Sequence, residues 1–305
     1  MGRLSGNHRH PALPAMAVAG LLAFLSACST GAGSATATGP GASAREFPVT
    51  AEVNQLRDNY GTQVVSIQLT NTSDAALTVT VARLGSALFA DAISWQASPG
   101  GIEIPPGQTK SLPAHLPAPV CAPAGRAAAA PSVAIRTAPA PGSVQEETVP
   151  AADPFGVLAR NNAEMCLAKA AGAVAGFRLD PGLEVSPDGL TAVVRLLITP
   201  RDPGNAADGA SMTLVGIEGT PLLAEDAAVP WPRAVPVRAG GDSREFRLGF
   251  RPARCDAHAV AEDKVGTLLP LRVTVAGRDG LLKVDAGPLL RGRIYDFVTA
   301  ACRGQ

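Results

Sequence analysis

The feature that most constrains this chain is a spacing that occurs twice. Its two tryptophans, Trp95 and Trp231, stand 136 residues apart, and the last four cysteines repeat nearly the same shift, 134 residues from Cys121 to Cys255 and 136 from Cys166 to Cys302. The text between these landmarks also aligns: LFADAISW against LLAEDAAVPW, IPPGQTKSL against VRAGGDSREF, and PAPVC against RPARC. Several matches at one shift indicate a tandem duplication. The expected repeats are residues 46–172 and 173–305, each long enough to bury its own core.

Ahead of the repeats, Arg3 and Arg9 precede an apolar run over residues 15–24, which ends in L-S-A-C at residues 25–28. That is the order of a secretion signal, and the run falls short of the roughly 20 apolar residues that span a bilayer. The ending resembles the lipobox of bacterial lipoproteins. The resemblance implies that residues 1–27 are a lipoprotein signal peptide removed before Cys28, that Cys28 carries a diacylglyceryl group, and that the protein is anchored at the extracytoplasmic face of the cell membrane. Two acyl chains on one residue supply an attachment that a single chain does not. Residues 29–45 hold no large apolar side chain and, with Cys28, read as a flexible tether over 28–45.

An oxidising compartment makes the remaining cysteines candidates for disulfides, and four cysteines permit three pairings. If each repeat folds as a unit, the pairs are Cys121 with Cys166 and Cys255 with Cys302. By chain-entropy reasoning each would contribute about 3 to 4 kcal/mol. A zinc site is not expected, because there is no CxxC and only His115 and His258 follow the signal.

Hydrophobic residues at 46% and charged residues at 17% argue against disorder, while 32 Gly and 27 Pro punctuate the chain too often for long helices to dominate. Period-two patterns take their place. Val65, Ile67 and Leu69 alternate with Ser66 and Gln68, and Leu77, Val79 and Val81 alternate with Thr78 and Thr80, which reads as a hairpin across residues 71–74. Phe246, Leu248 and Phe250 share one face of a later strand, as do Leu271, Val273 and Val275. The expected fold class is all-β: two tandem immunoglobulin-like β-sandwich domains, each with one disulfide. The likeness is one of general pattern, because in each repeat the tryptophan precedes both cysteines. Trp95 and Trp231 are expected to be core anchors, and His115 a half-buried strand residue.

The usual catalytic spacings, G-x-S-x-G, H-E-x-x-H, S-x-x-K and the phosphate-cradling G-x-x-x-x-G-K-S/T, are absent. Loss of residues 1–27 removes two arginines and no acid and leaves a net charge of −2 without a basic cluster, so nucleic acid is not an expected partner. No enzyme activity, metal or cofactor is expected. One dense polar stretch, residues 255–267, offers Asp256, His258, Glu262 and Asp263 as a candidate binding patch, beside Lys264; its plainer reading is a disulfide-anchored loop with local ion pairs. The stretch is similar to one in uncharacterised secreted proteins of high-GC Gram-positive bacteria, a resemblance that implies no activity. The expected function is a non-catalytic binding or assembly module of the cell envelope, with an unidentified envelope protein or ligand as partner. The alternative is an envelope hydrolase, or a carrier of a small ligand or metal, that uses residues 255–267.

Overall fold

The computed structural model describes residues 47–121, 129–138, 143–202, 210–256, 260 and 263–303; the expected signal, Cys28 and the tether lie outside them. The described chain is mostly β-sheet with two helices and two disulfides. In the first half, alternation of aliphatic and polar residues gives strands with one buried face. β1 (Val49–Asn54), β2 (Val64–Asn71) and β6 (Thr109–His115) lie side by side, and β4 (Ile93–Gln96), β5 (Ile102–Ile104) and β7 (Ser132–Thr137) pair with or through β3 (Leu77–Gly85). β8 (Gln145–Ala152) joins the two groups. Residues 145–150 pair antiparallel with β7, and Ala151 and Ala152 pair parallel with Ala51 and Glu52 of β1. A strand that changes partners along its length folds one sheet into two layers. Ile67, Leu69, Leu84, Ile104, Leu112 and Ile135, all fully buried, fill the space between.

The hairpin expected across residues 71–74 does not form. β2 pairs with β1 and β6, whereas β3 pairs with β4, β5 and β7. The chain instead crosses between layers, and the buried Asn71 builds the crossing. Its amide donates to the carbonyls of Ala75 (2.7 Å) and Ile104 (2.9 Å), and its side-chain oxygen accepts from the N–H (2.9 Å) and hydroxyl (2.7 Å) of Ser73. Asparagine supplies both donors and an acceptor there, which closes an arch without strand-to-strand pairing.

In the second half, β9 (Ala175–Leu179), β10 (Glu184–Val185), β11 (Ala192–Pro200), β13 (Leu223–Glu225) and β15 (Arg244–Pro252) form one sheet. β12 (Ser211–Ile217), β14 (Val235–Arg238), β16 (Leu268–Val275) and β17 (Arg278–Asp285) form another. The pairing scheme is that of the first half. β9 and β10 flank β11 as β1 flanks β2, β15 takes the place of β6, and β14-β12-β16-β17 repeats β5-β3-β7-β8. One step differs. β8 is hydrogen-bonded to β1, but no strand pairing joins their counterparts β17 and β9.

Each half ends in a helix that the proline and glycine content did not suggest, α1 (Val157–Val174) after β8 and α2 (Gly287–Cys302) after β17. Asp153 starts α1, its carboxylate accepting from the N–H groups of Val157 (2.7 Å) and Leu158 (2.9 Å). Proline in the first turn starts α2, which buries Leu290, Ile294, Phe297, Val298 and Ala301 at helical spacing. α1 belongs to both halves: Val157 and Leu158 enter the first core, and Leu167, Ala171 and Val174 the second. Val174 then leads into β9 with no residue between, so the expected boundary at residues 172–173 falls inside the helix.

The disulfides are Cys121–Cys166 and Cys255–Cys302, with Cα atoms 5.5 and 5.1 Å apart. Cys166 is buried in mid-α1, whereas Cys302 is the last residue of α2. The tryptophans are not equivalent. Trp231 is buried, with its indole N–H donating to the Gly249 carbonyl (2.7 Å) and its ring 5.4 Å from that of Phe250. Trp95 sits on the short edge strand β4 and is only partly buried, because its strand ends the sheet order. His115 is exposed at the end of β6 rather than half-buried.

Candidate functional site

The polar stretch after Cys255 is held to α2 at both ends. Cys255 is bonded to Cys302, and Tyr295, one helical face away, donates its hydroxyl to the Asp263 carboxylate (2.8 Å) and backbone carbonyl (3.1 Å). The same carboxylate accepts from the Gly266 N–H at 2.9 Å. Gly266 has to be glycine, since a Cβ there would lie 2.5 Å from the Leu222 Cβ and 2.7 Å from the Asp263 carboxylate. Partial burial, and then the hydrogen bond from Asp263, push the Tyr295 hydroxyl up to about 12. Asp263 is thus a fastening of the fold. Asp256 is exposed next to the disulfide, and Lys264 forms a loose 3.9 Å ion pair with Asp58 of the first half. His258 and Glu262 lie outside the described residues. Among the described residues, no group of three or more His, Cys, Asp or Glu is placed to hold a metal ion.

A second cluster lies where the halves meet, and the sequence carries no local sign of it. Tyr60, just past a single 3-10 turn (Arg57–Asn59), has two cations near its ring: Arg160 of α1 at 5.1 Å and Lys283 of β17 at 5.6 Å from the centroid. Lys283 also donates to Glu164 of α1 at 2.8 Å. Arg160 donates to the Gln55 side-chain oxygen (2.8 Å), which also accepts from the buried Asn161 (2.9 Å). Glu164, Met165, Gln63, Leu281 and Lys283 line a cavity of about 100 Å³ beside Tyr60. The charges are matched inside the cluster, so its chemistry is that of a strut. It fixes α1 to the end of β1 on one side and to β17 on the other. Glu164 and Lys283 are 119 residues apart in sequence, which is why no spacing rule connects them.

Among the described residues no helix is long and apolar enough to cross a membrane. No family model matches the chain, and no curated protein matches its sequence. Solved structures that align with it include a protein of unknown function from Porphyromonas gingivalis W83, with 15% identity over 78% of this chain and 98% of that chain and a TM-score of 0.21. Others are the YadV chaperone, with 10% identity over 78% and 100% and a TM-score of 0.22, and CBD12 from CALX1.2, with 9% identity over 74% and 79% and a TM-score of 0.21. Likenesses at such TM-scores carry no argument about this chain.

Proposed function

We propose that the chain is an exported lipoprotein, anchored through Cys28 at the extracytoplasmic face of the cell membrane, whose two immunoglobulin-like sandwich halves act as a non-catalytic binding or assembly module of the envelope. The observation that carries this reading is the fusion of two disulfide-braced β-units by α1, which presents loops and strand edges at a fixed spacing, as a binding scaffold requires. Disulfides suit an oxidising compartment, and the L-S-A-C ending suits a lipid anchor. With Asp263 engaged by Tyr295 and Gly266, the contact patch on residues 255–267 narrows to Asp256, His258 and Glu262.

Two measurements test the reading. Cys28→Ala should abolish labelling by a fatty-acid probe and release the protein from membranes; retention without lipid overturns the anchor. Cross-linking in the native envelope should yield a defined species that the Asp256→Ala, His258→Ala, Glu262→Ala triple variant loses. The thermal midpoint of that variant should stay nearly unchanged, since substitutions at exposed positions usually matter by about 0.5 kcal/mol or less. A chain that cross-links to nothing defined is not a binding module.

A further inference from the structure

The unpaired seam of the second half shows what the closed seam of the first half would become if it opened. In the first half Ala51 and Glu52 of β1 are laddered to the last two residues of β8. The corresponding positions are Phe177 and Arg178 on β9, and Val284 and Asp285 at the end of β17. Between them lies a groove of about 380 Å³, closed at one end by Ala168 and Gly172 of α1 and rimmed by Arg201. The helix explains why it stays open. α1 runs directly into β9 and fixes the start of that strand, and Arg201 locks the same turn, its side chain donating to the Gly172 carbonyl (3.0 Å) and its N–H to that of Val174 (2.8 Å).

Two properties say what would fill it. First, among the described residues β9 pairs only with β11 and β17 only with β16, so each presents one edge outside any ladder, a template for an extended chain. Second, the charges at the groove are unevenly matched. Lys283 is paired with Glu164, and Asp285 with Arg291 at 3.0 Å. The Arg201 guanidinium meets a neutral carbonyl, and Asp180, the acid near Arg178, is ion-paired with Arg195 at 3.1 Å. Positive charge is left over. We propose that this seam is a docking groove for an extended peptide segment of a partner protein, one that adds to the β9 and β17 edges and places carboxylates against Arg178 and Arg201. The proposal rests on the binding-module reading but not on the anchor or on the patch at residues 255–267.

The probe is a labelled peptide of about nine residues, ample for one strand, of alternating valine and glutamate, titrated into the full chain. It should bind saturably and slow hydrogen exchange at residues 176–178 and 282–285. A lysine-for-glutamate peptide should bind about tenfold or more weaker, and a peptide methylated at alternate backbone nitrogens should lose binding. The double variant Arg178→Glu, Arg201→Glu should weaken the glutamate peptide about tenfold and improve the lysine peptide, because complementary charge selects partners. Both positions are exposed, and the Arg→Gln pair serves if the charge reversal harms folding. No saturable binding at millimolar peptide overturns the groove, as does binding that survives both arginine replacement and backbone methylation, or protection located elsewhere. Peptide binding without a cross-linked envelope species would retain the groove and reject the envelope module; the reverse result would reject the groove alone.

Discussion

In the first half of the molecule the seam between β1 and β8 is a backbone ladder, the tryptophan stands partly exposed on an edge strand, and the helix is crosslinked at its middle. In the second half the seam is open, the tryptophan is buried against Phe250, and the helix is crosslinked at its last residue. The pairing scheme is the same in both. What is common is therefore the order of strands, which alternation specifies, and what varies is how each copy covers its margins. Trp231 covers one such margin. The loop that carries it lies on Gly249, where a Cβ would stand 2.7 Å from the Val229 carbonyl oxygen, and Glu225 holds the Trp231 N–H at 2.8 Å. Trp95 has no such setting.

The largest expected difference between the halves follows from this. Trp231→Ala should cost about 3 to 5 kcal/mol in urea unfolding, as loss of a buried large aromatic does, and Trp95→Ala about 1 kcal/mol. Equal losses would mean that the two tryptophans do the same job after all. Next come the disulfides. They close loops of similar length, 45 and 47 residues, so alanine at either pair should remove a similar 3 to 4 kcal/mol or so. Their reach should differ. Hydrogen exchange should quicken in both halves without Cys121–Cys166, because α1 enters both cores, and mainly in the second half without Cys255–Cys302. Identical patterns would contradict the sharing of α1.

The smallest effect separates the two polar fastenings. The first half uses Gln55 and Asn161, which do not titrate, and the second uses Tyr295 on Asp263. Tyr295→Phe should cost about 1 kcal/mol at neutral pH. The hydroxyl is pushed up from 10.0 to about 12, so its contribution is complete below the unfolded value and lost as pH rises through the folded one. The phenylalanine variant should therefore lose stability less steeply across that interval. An unchanged slope would show that the hydroxyl is not held by Asp263 in solution.

Much of the β-structure was legible. Alternation at Val65, Ile67 and Leu69 and at Leu271, Val273 and Val275 placed buried faces correctly, since one residue of slip would have exposed them. Alternation does not say which strand is the neighbour, and the hairpin read across residues 71–74 failed for that reason: Asn71 serves a turn and an arch equally well. The helices were hidden by averaging. Proline and glycine are plentiful in the chain but stand at the helix starts, as Gly156, Gly287 and Pro288 do, where they initiate helices. The spacing of Leu290, Ile294, Phe297 and Val298 could have revealed α2. The strut around Tyr60 could not be read at all, because its members converge only after both halves have folded. Of the candidate patch, the sequence marked Asp263 as polar and accessible, whereas its value to the fold lies in Gly266 and Tyr295.

The placement of Cys166 has a mechanical consequence. A covalent bond across residues 121–166 takes everything between them out of the load path when the chain is pulled from its ends, and the bond across 255–302 does the same. The contacts of α1 with the first core, through Val157, Leu158 and Asn161, fall inside the first protected loop. Its contacts with the second core, through Leu167, Ala171 and Val174, fall just outside it. Under tension the helix should peel from the second half first, unwinding from Leu167 toward β9, while the first half keeps its end of the helix intact. The molecule would yield at one defined place, and the extension released there would be bounded by the covalent loops on either side.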